Sequence, residues 1–361
     1  MSKAAELAAL IANVNKGSSL ANKNFIINGN MNVAQRGTST TGLGGNGASY
    51  NTADRFCHSL GNTAGRFTSA IIADGPSGFA NCLKLSCTTA DTSVAATEYF
   101  QLQHRIEGQN LQPIAKGTAD AKPITASFYV KGNASATYTA ELYDYNNDRQ
   151  ISKTFSVTTS WSRVELTFPA DTSGALTDDN ALSMLLTLHL HAGSNFTSGT
   201  FNSSSWASST LANRVSSSNT SFFDSTSRTF FLTGVQLEIG EKATAFEHEP
   251  YDTTLKKASR YYTEIARADN NTCHLVGYVQ ATTVARFGFD VSMRTSPTIT
   301  ETNFGILYST GSEQAVTGVE DITQDNQFVS FKLTTAANLN VGEAVVLYSN
   351  GAATLTFDAE I

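Results

Sequence analysis

His189 and His191 stand two apart in a run whose hydropathy alternates. On a strand both would project from one face and could ligate a metal, although no third ligand lies near them in sequence. Asp171, Asp178 and Asp179 flank a loop and could hold calcium, an ion that takes oxygen ligands. Glycan hydrolysis would need two carboxylates facing a cleft about 5 to 9.5 Å apart. Glu98, Glu107, Asp144, Glu165, Asp178 and Asp179 are available, but they read as loop or outer-face groups on a solvated surface. There is no G-x-S-x-G nucleophile elbow, and Gly42-Leu43-Gly44-Gly45 lacks the Lys and following helix of a phosphate loop. A Ser-His-Asp site is recognised by geometry alone, so sequence does not decide it. The expectation is a protein without enzymatic activity and without a required cofactor. Sugar binding is better provided for. Aromatic faces stack on sugar rings, and amides and carboxylates take hydroxyls. Trp206, Tyr143, Tyr145 and Trp161 are the candidates. Trp161 stands at a strand start and reads first as core. Trp206 sits in a polar loop, as loop anchor or ligand contact.

Strands must position these residues. Charged residues make up 15 % of the 361-residue chain, against roughly 25 % in an average soluble domain. Ser, Thr, Asn and Gly fill the deficit, and the 40 % of hydrophobic residues can still build a core. The net charge is −7 with no basic stripe, which argues against a nucleic-acid ligand. The longest strongly apolar run, Met184–Leu190, is far too short to span a membrane as a helix. The N-terminal residues lack the apolar core and cleavage site of a signal peptide, so assembly in a cytoplasm and release by lysis is expected. Cys57, Cys82, Cys87 and Cys273 show no C-x-x-C spacing and read as small buried hydrophobes, with a Cys82–Cys87 disulfide as the alternative.

Leu7, Leu10 and Val14 fall at a/d spacing with Ile11 beside them, predicting a short helix over 3–14. Twelve residues are marginal alone, so this helix must pair with itself or dock on another protein, and residues 1–22 form an attachment or trimerisation segment. Residues 23–250 carry period-two strands: Ile124–Val130, Tyr138–Leu142, Val164–Phe168 closed by Pro169, Met184–Leu190 and Val235–Ile239. Asn24–Gly37 reads as an apolar strand, a turn and a second short strand. Gly37–Ser49 reads as a Gly/Thr loop, and His191–Thr229 as a long Ser/Asn-rich segment with scattered aromatics. Many antiparallel-type strands without a βαβ rhythm predict a mainly β chain with a jelly-roll sandwich. Residues 251–361 read as a linker helix and a smaller C-terminal β-sandwich. Its last two strands, 345–348 and 355–361, are expected to form a hairpin across Ser349-Asn350-Gly351.

The segments Asn24 to Gly37, Tyr50-Asn51-Thr52-Ala53-Asp54-Arg55-Phe56, Thr233 to Gly240 running on through Phe246 to Tyr251, and Arg260-Tyr261-Tyr262 carry a resemblance. In order and spacing they are similar to bacteriophage tail-fibre and minor tail proteins. The resemblance implies a jelly roll in the manner of carbohydrate-binding modules and a homotrimeric structural virion protein located in the tail. It also implies contact with other tail proteins at the N-terminus and with host-surface glycan. It marks folding and packing, with the first and last strands pairing and Phe246 and Tyr251 sealing the base. A purely architectural tail or capsid-surface component without glycan binding is the alternative. A polysaccharide depolymerase is disfavoured, since the repeats of a parallel β-helix are absent.

Overall fold

The computed structural model describes Lys3 and residues 23–267, 273–290, 292–308, 313–324, 328–336 and 339–361. The expected attachment residues Leu7, Leu10, Ile11 and Val14 lie outside the described residues. The chain is mainly β and divides into two compact units, Met1–Tyr251 and Asp252–Ile361.

The first unit contains β1 (Ser39–Tyr50), β2 (Phe56–Ile72), β3 (Cys82–Thr89), β4 (Tyr99–Glu107), β5 (Ile124–Gly132), β6 (Ala136–Asp144), β7 (Arg149–Val157), β8 (Ser162–Phe168), β9 (Leu182–Ala192), a one-turn helix α1 (Ser194–Thr197), β10 (Ala207–Ser208) and β11 (Thr229–Ile239). The long strand β2 belongs to two layers. Its first half, Phe56–Gly61, pairs with β4, which leads on to β9, β6, β7 and β10. Its second half, Arg66–Ile72, pairs with β3, which leads on to β11, β5 and β8. The two halves face each other across one core: Phe128 of β5 meets Phe155 of β7 at 5.1 Å, and Tyr138 of β6 meets Phe230 of β11 at 5.6 Å. The result is the jelly-roll sandwich that the alternating patterns predict. Leu186, Leu188 and Leu190 face this core, and Thr187 and His189 face away from it, whereas a register shift sets His191 opposite the core residue Phe100 and 5.4 Å from the Phe223 ring.

Two expectations in this unit are corrected. Gly37–Ser49 is no loop: most of it is β1, antiparallel to β2. Bulges interrupt the register at Thr40/Leu43, Gly44/Gly45 and Gly45/Gly47, with Gly44 at φ 145°. Glycines leave no period-two signal to read, and a Cβ on Gly44 would lie 2.3 Å from the Gly65 carbonyl oxygen. Asn24–Gly37, conversely, contains no strand. Asn28 and Met31 take left-handed backbone (φ 63° and 57°), and the Asn28 side chain replaces ladder bonds. Its amide donates to the Val33 and Asp54 carbonyls, and its oxygen accepts from Asn32 and Val33. The segment still lies along β11: Phe25 N–H donates to Leu237 O at 2.9 Å and Val235 N–H to Gly29 O at 2.9 Å. The Asp54 carboxylate accepts from the Gln35 backbone and side chain, and Glu247 accepts from the Lys23 and Asn24 N–H groups. Phe246 packs on Phe79 at 5.0 Å, but Tyr251 is 57 % exposed and seals nothing, because it opens the helix that follows.

After the boundary residue Tyr251, which opens α2 (Tyr251–Ser259), the second unit contains the rest of that helix, β12 (Tyr262–Arg267), β13 (Cys273–Ala281), β14 (Val284–Asp290), β15 (Thr298–Tyr308), β16 (Glu313–Gln324), β17 (Phe328–Thr335) and β18 (Ala344–Asp358). Its antiparallel sheet closes on itself, because β18 pairs with both β13 and β15. Phe287, Phe331, Leu347, Leu355 and Phe357 fill the interior. The expected hairpin at Ser349-Asn350-Gly351 is absent, since β18 is one continuous strand. One edge lies along β15, with a register shift opposite Thr302/Phe304. The other edge serves β13 with its first half and β12 with its second. A turn dipeptide inside a strand that changes partners marks the bulge, not a reversal.

Candidate functional site

Strands β7, β6, β9 and β4 turn a polar face away from the core, and their register sets it in rows. Thr154, Thr139, His189 and Gln101 form one row, Ser152, Glu141, Thr187 and Gln103 the next, and Gln150, Tyr143, Leu185 and Arg105 the third. Such a face would ordinarily be wet. Here Glu141, Thr139, Ser152, Thr187 and His189 are all fully buried. The Ser/Asn-rich segment between β9 and β11 covers them. Its Asn202 carbonyl accepts from the Ser152 N–H, its Asn202 amide donates to Gln150 O, its Ser216 N–H donates to Thr139 Oγ1 and its β10 extends the sheet beyond β7.

Arg214 fastens this cover. Its guanidinium donates to both Glu141 oxygens, one contact at 2.8 Å and the other at 2.6 Å, and lies 4.7 Å over the Tyr143 ring. His189 Nε2 adds a third contact to Glu141 at 3.0 Å. Burial pushes the Glu141 carboxyl up, but the charge and hydrogen bonds of Arg214, with His189, hold it down at about 2. Burial lowers His189 despite Glu141, so its ring is neutral and its tautomer is set by its neighbours. Arg105 donates to Gln103, Gln103 to Gln101, Gln101 to His189 Nδ1, and His189 Nε2–H to Glu141, a single directed chain. A carboxylate used this fully is a clamp, not an acid or a nucleophile. Ser152 Oγ, Thr187 Oγ1 and Gln150 Nε2 are buried beside it without a protein partner.

The tyrosines expected to meet sugar come together at the β6–β7 turn. The Tyr143 and Tyr145 ring centroids are 6.5 Å apart at 66°. Tyr145 is 59 % exposed, whereas the Tyr143 hydroxyl donates to Asp148 at 2.6 Å. Burial and that bond raise the Tyr143 phenol to about 12. Trp206 is placed elsewhere, buried in the core cluster with its indole N–H donating to Pro169 O at 2.9 Å. Trp161 lies half-buried against Phe231 and 5.1 Å from the Lys131 ammonium.

Asp171 is held differently from the calcium ligand it resembles. The Lys116 ammonium stands between Asp144 and Asp171 and donates to Ser173 O at 2.9 Å and Gly174 O at 3.0 Å, below the Trp206 ring. Two carboxylates and two carbonyls thus surround a lysine where an ion could have sat. Arg149 takes both Asp171 oxygens, at 2.8 and 2.9 Å. Asp178 and Asp179 are exposed, with Asp179 capping Thr177 and Ala181. Lys116 and Arg214 carried no signal in sequence, being single basic residues whose partners lie 28 and 73 positions away.

The expected shared face of His189 and His191 is interrupted by the register shift between them: His189 pairs with Gln101 and bonds Glu141, while His191 lies opposite Phe100 and against Phe223. His191, Glu98 and Asp91 converge with ligand-type atoms all within 4.8 Å of one another, the one such group among the described residues. Cys82 and Cys87 are free and buried, so they form no disulfide with each other, and Cys57 is buried too. Burial pushes the Cys82 and Cys87 thiols up to about 11.

No family model matches the chain, and no curated protein matches it. Among solved structures, a family 11 carbohydrate-binding module from Clostridium thermocellum in complex with a β-1,3-1,4-mixed-linked tetrasaccharide is 11 % identical, with 58 % of this chain and 98 % of that chain covered at a TM-score of 0.28. The enzymatically active domain of tailspike protein 4 of bacteriophage CBA120 is 11 % identical, covering 60 % of this chain and 22 % of that chain at 0.30. A protein from Bacteroides thetaiotaomicron VPI-5482 whose crystal structure is described as that of a "putative sugar binding protein" is 11 % identical, covering 60 % and 100 % at 0.27. Overlaps this loose assign no ligand and no activity to the chain.

Proposed function

We propose that this chain is a structural virion protein of tail-fibre type that recognises host-surface glycan and catalyses no reaction. The observation that carries the glycan reading is the Tyr145 ring, 59 % exposed beside Tyr143 and Asp148 on a turn anchored to the buried polar face. An exposed ring with a carboxylate and amides alongside can stack on a pyranose and bond its hydroxyls. The tail-fibre reading rests on the resemblance of residues 24–37, 50–56, 233–251 and 260–262. In this proposal residues 1–22 attach the protein to other tail components, the assembly is a homotrimer, and weak single contacts are multiplied by valency. The carboxylates support a binding role: Glu98, Glu141, Asp144 and Asp171 are buried and engaged, while Glu165, Asp178 and Asp179 are spread on the surface.

The test is binding of the full-length protein to a panel of bacterial surface polysaccharides and to whole cells, after light scattering has fixed its mass. Saturable binding that Tyr145→Ala weakens at least tenfold, with the melting temperature unchanged, supports the reading. A well-folded trimer that ignores every glycan and cell favours the architectural role. Unchanged incorporation into virions after removal of residues 1–16 would exclude the attachment role.

A further inference from the structure

We propose that Asp91, Glu98 and His191 form a binding site for a divalent transition-metal cation, of the zinc or manganese class, at the end of the β4–β9 pair. The three donors come from three stretches of chain that the fold locks together. His191 is the penultimate residue of β9, and Glu98 immediately precedes β4. The β4–β9 register, Phe100 opposite His191 and Tyr99 opposite Ala192, holds the two side by side, and Gly193 N–H donates to Glu98 O at 2.7 Å. Asp91 follows β3 and is fixed through Oδ2 by the Thr63 hydroxyl at 2.9 Å and the Ala64 N–H at 2.8 Å.

The imidazole is oriented for ligation. His191 Nδ1 lies 2.8 Å from Ser221 Oγ, which leaves Nε2 directed at Glu98. A ligating histidine is held this way through its other nitrogen. Nε2 stands 3.4 Å from Glu98 Oε2. That is long for a charge-assisted hydrogen bond, whereas donors on a tetrahedral zinc with bonds of about 2.0–2.1 Å stand about 3.3 Å apart. The widest separation in the group, up to 4.8 Å, means that the cation draws one carboxylate inward. Water completes the coordination.

Charge gives the independent argument. Asp91 and Glu98 are each 6 % exposed and His191 is fully buried. Neither carboxylate has a Lys or Arg within ion-pair distance among the described residues. The other buried acidic pair, Asp144 with Asp171, has both Lys116 and Arg149. Buried carboxylates with no Lys or Arg beside them call for a cation. A nitrogen with two carboxylates selects zinc or manganese over calcium and magnesium, which take oxygen.

Zn²⁺ titrated into EDTA-stripped full-length protein, by calorimetry and by thermal melting, tests the site. The expected result is one equivalent per chain and a raised melting temperature for the unit holding both tryptophans. His191→Gln and Glu98→Gln should abolish this, and Ca²⁺ should not compete. If His191→Gln does not fold, Ser221→Ala, which removes only the group orienting the ring, must weaken Zn²⁺ binding at least tenfold. Wild-type protein that binds neither Zn²⁺ nor Mn²⁺, binding retained by folded His191→Gln, or unchanged affinity in Ser221→Ala would each overturn the proposal. None of these readouts involves glycan.

Discussion

Replacing Lys116 by methionine removes one charge from a buried cluster while keeping most of its volume. Lys116, Asp144 and Asp171 are 5 %, 0 % and 7 % exposed. Breaking a buried pair from one side leaves a charge without its partner and typically costs about 3–5 kcal/mol. Asp144 would keep two donors from Asn147, the backbone N–H and the side-chain amide, and Asp171 would keep Arg149. These remaining contacts place the expected loss at the lower end, about 3 kcal/mol. For a unit of this size that is a fall in melting temperature of roughly 6–12 °C. Both tryptophans, Trp161 and Trp206, belong to the first unit, so tryptophan fluorescence in urea follows that unit without contribution from the second. The double variant Lys116→Met with Asp144→Asn removes the orphaned charge and is expected to regain at least about 1 kcal/mol over Lys116→Met alone. A loss below about 1 kcal/mol for Lys116→Met, or a double variant as unstable as the summed singles, would refute the idea that the lysine neutralises this cluster.

Acid should destabilise the first unit well before its carboxylates are protonated. Burial holds His58 down at about 4, so its contribution is whole above the unfolded value of 6.5 and is lost as pH falls toward 4, roughly 3 kcal/mol in all. His104, His189 and His191 are displaced in the same direction, and Glu141 adds a loss from its unfolded value of 4.5 down toward 2. Urea midpoints that stay flat from neutral pH down to about 5 would contradict this. Gly29→Ala should cost about 1–3 kcal/mol, because a Cβ there lies 2.0 Å from the Val235 carbonyl oxygen; a variant melting like wild type would mean that the segment can lift off β11 freely.

Legibility in the sequence followed the side-chain period. β5, β6, β8, β9 and β11 were readable because apolar residues alternate along them, and α2 because Leu255 and Ala258 share a face. β1 was not, because its glycines erase the alternation, and β18 was not, because a turn-like Asn-Gly sits at a change of partner. The burial of Glu141 and the convergence of Asp91, Glu98 and His191 depend on strand register and on the cover formed by residues 193–228, which no local pattern encodes. Tyr143 and Tyr145 were recognisable as neighbours because they share one strand end. The placement of Trp206 was undecidable from a polar loop, since the groups that hold it, the Lys116 ammonium and the Pro169 carbonyl, are far away in sequence.

The first unit begins and ends at one corner. Glu247 holds the N–H groups of Lys23 and Asn24 at 2.9 Å each, and Phe25 N–H bonds Leu237 O. A pull on the chain on either side of this unit therefore enters and leaves at the same place. The load falls first on those few bonds, which open one after another, and the sandwich behind them is not stretched. The unit hangs to the side of the line of force, like a pennant on a rope, and its two sheets stay folded while the chain is under tension.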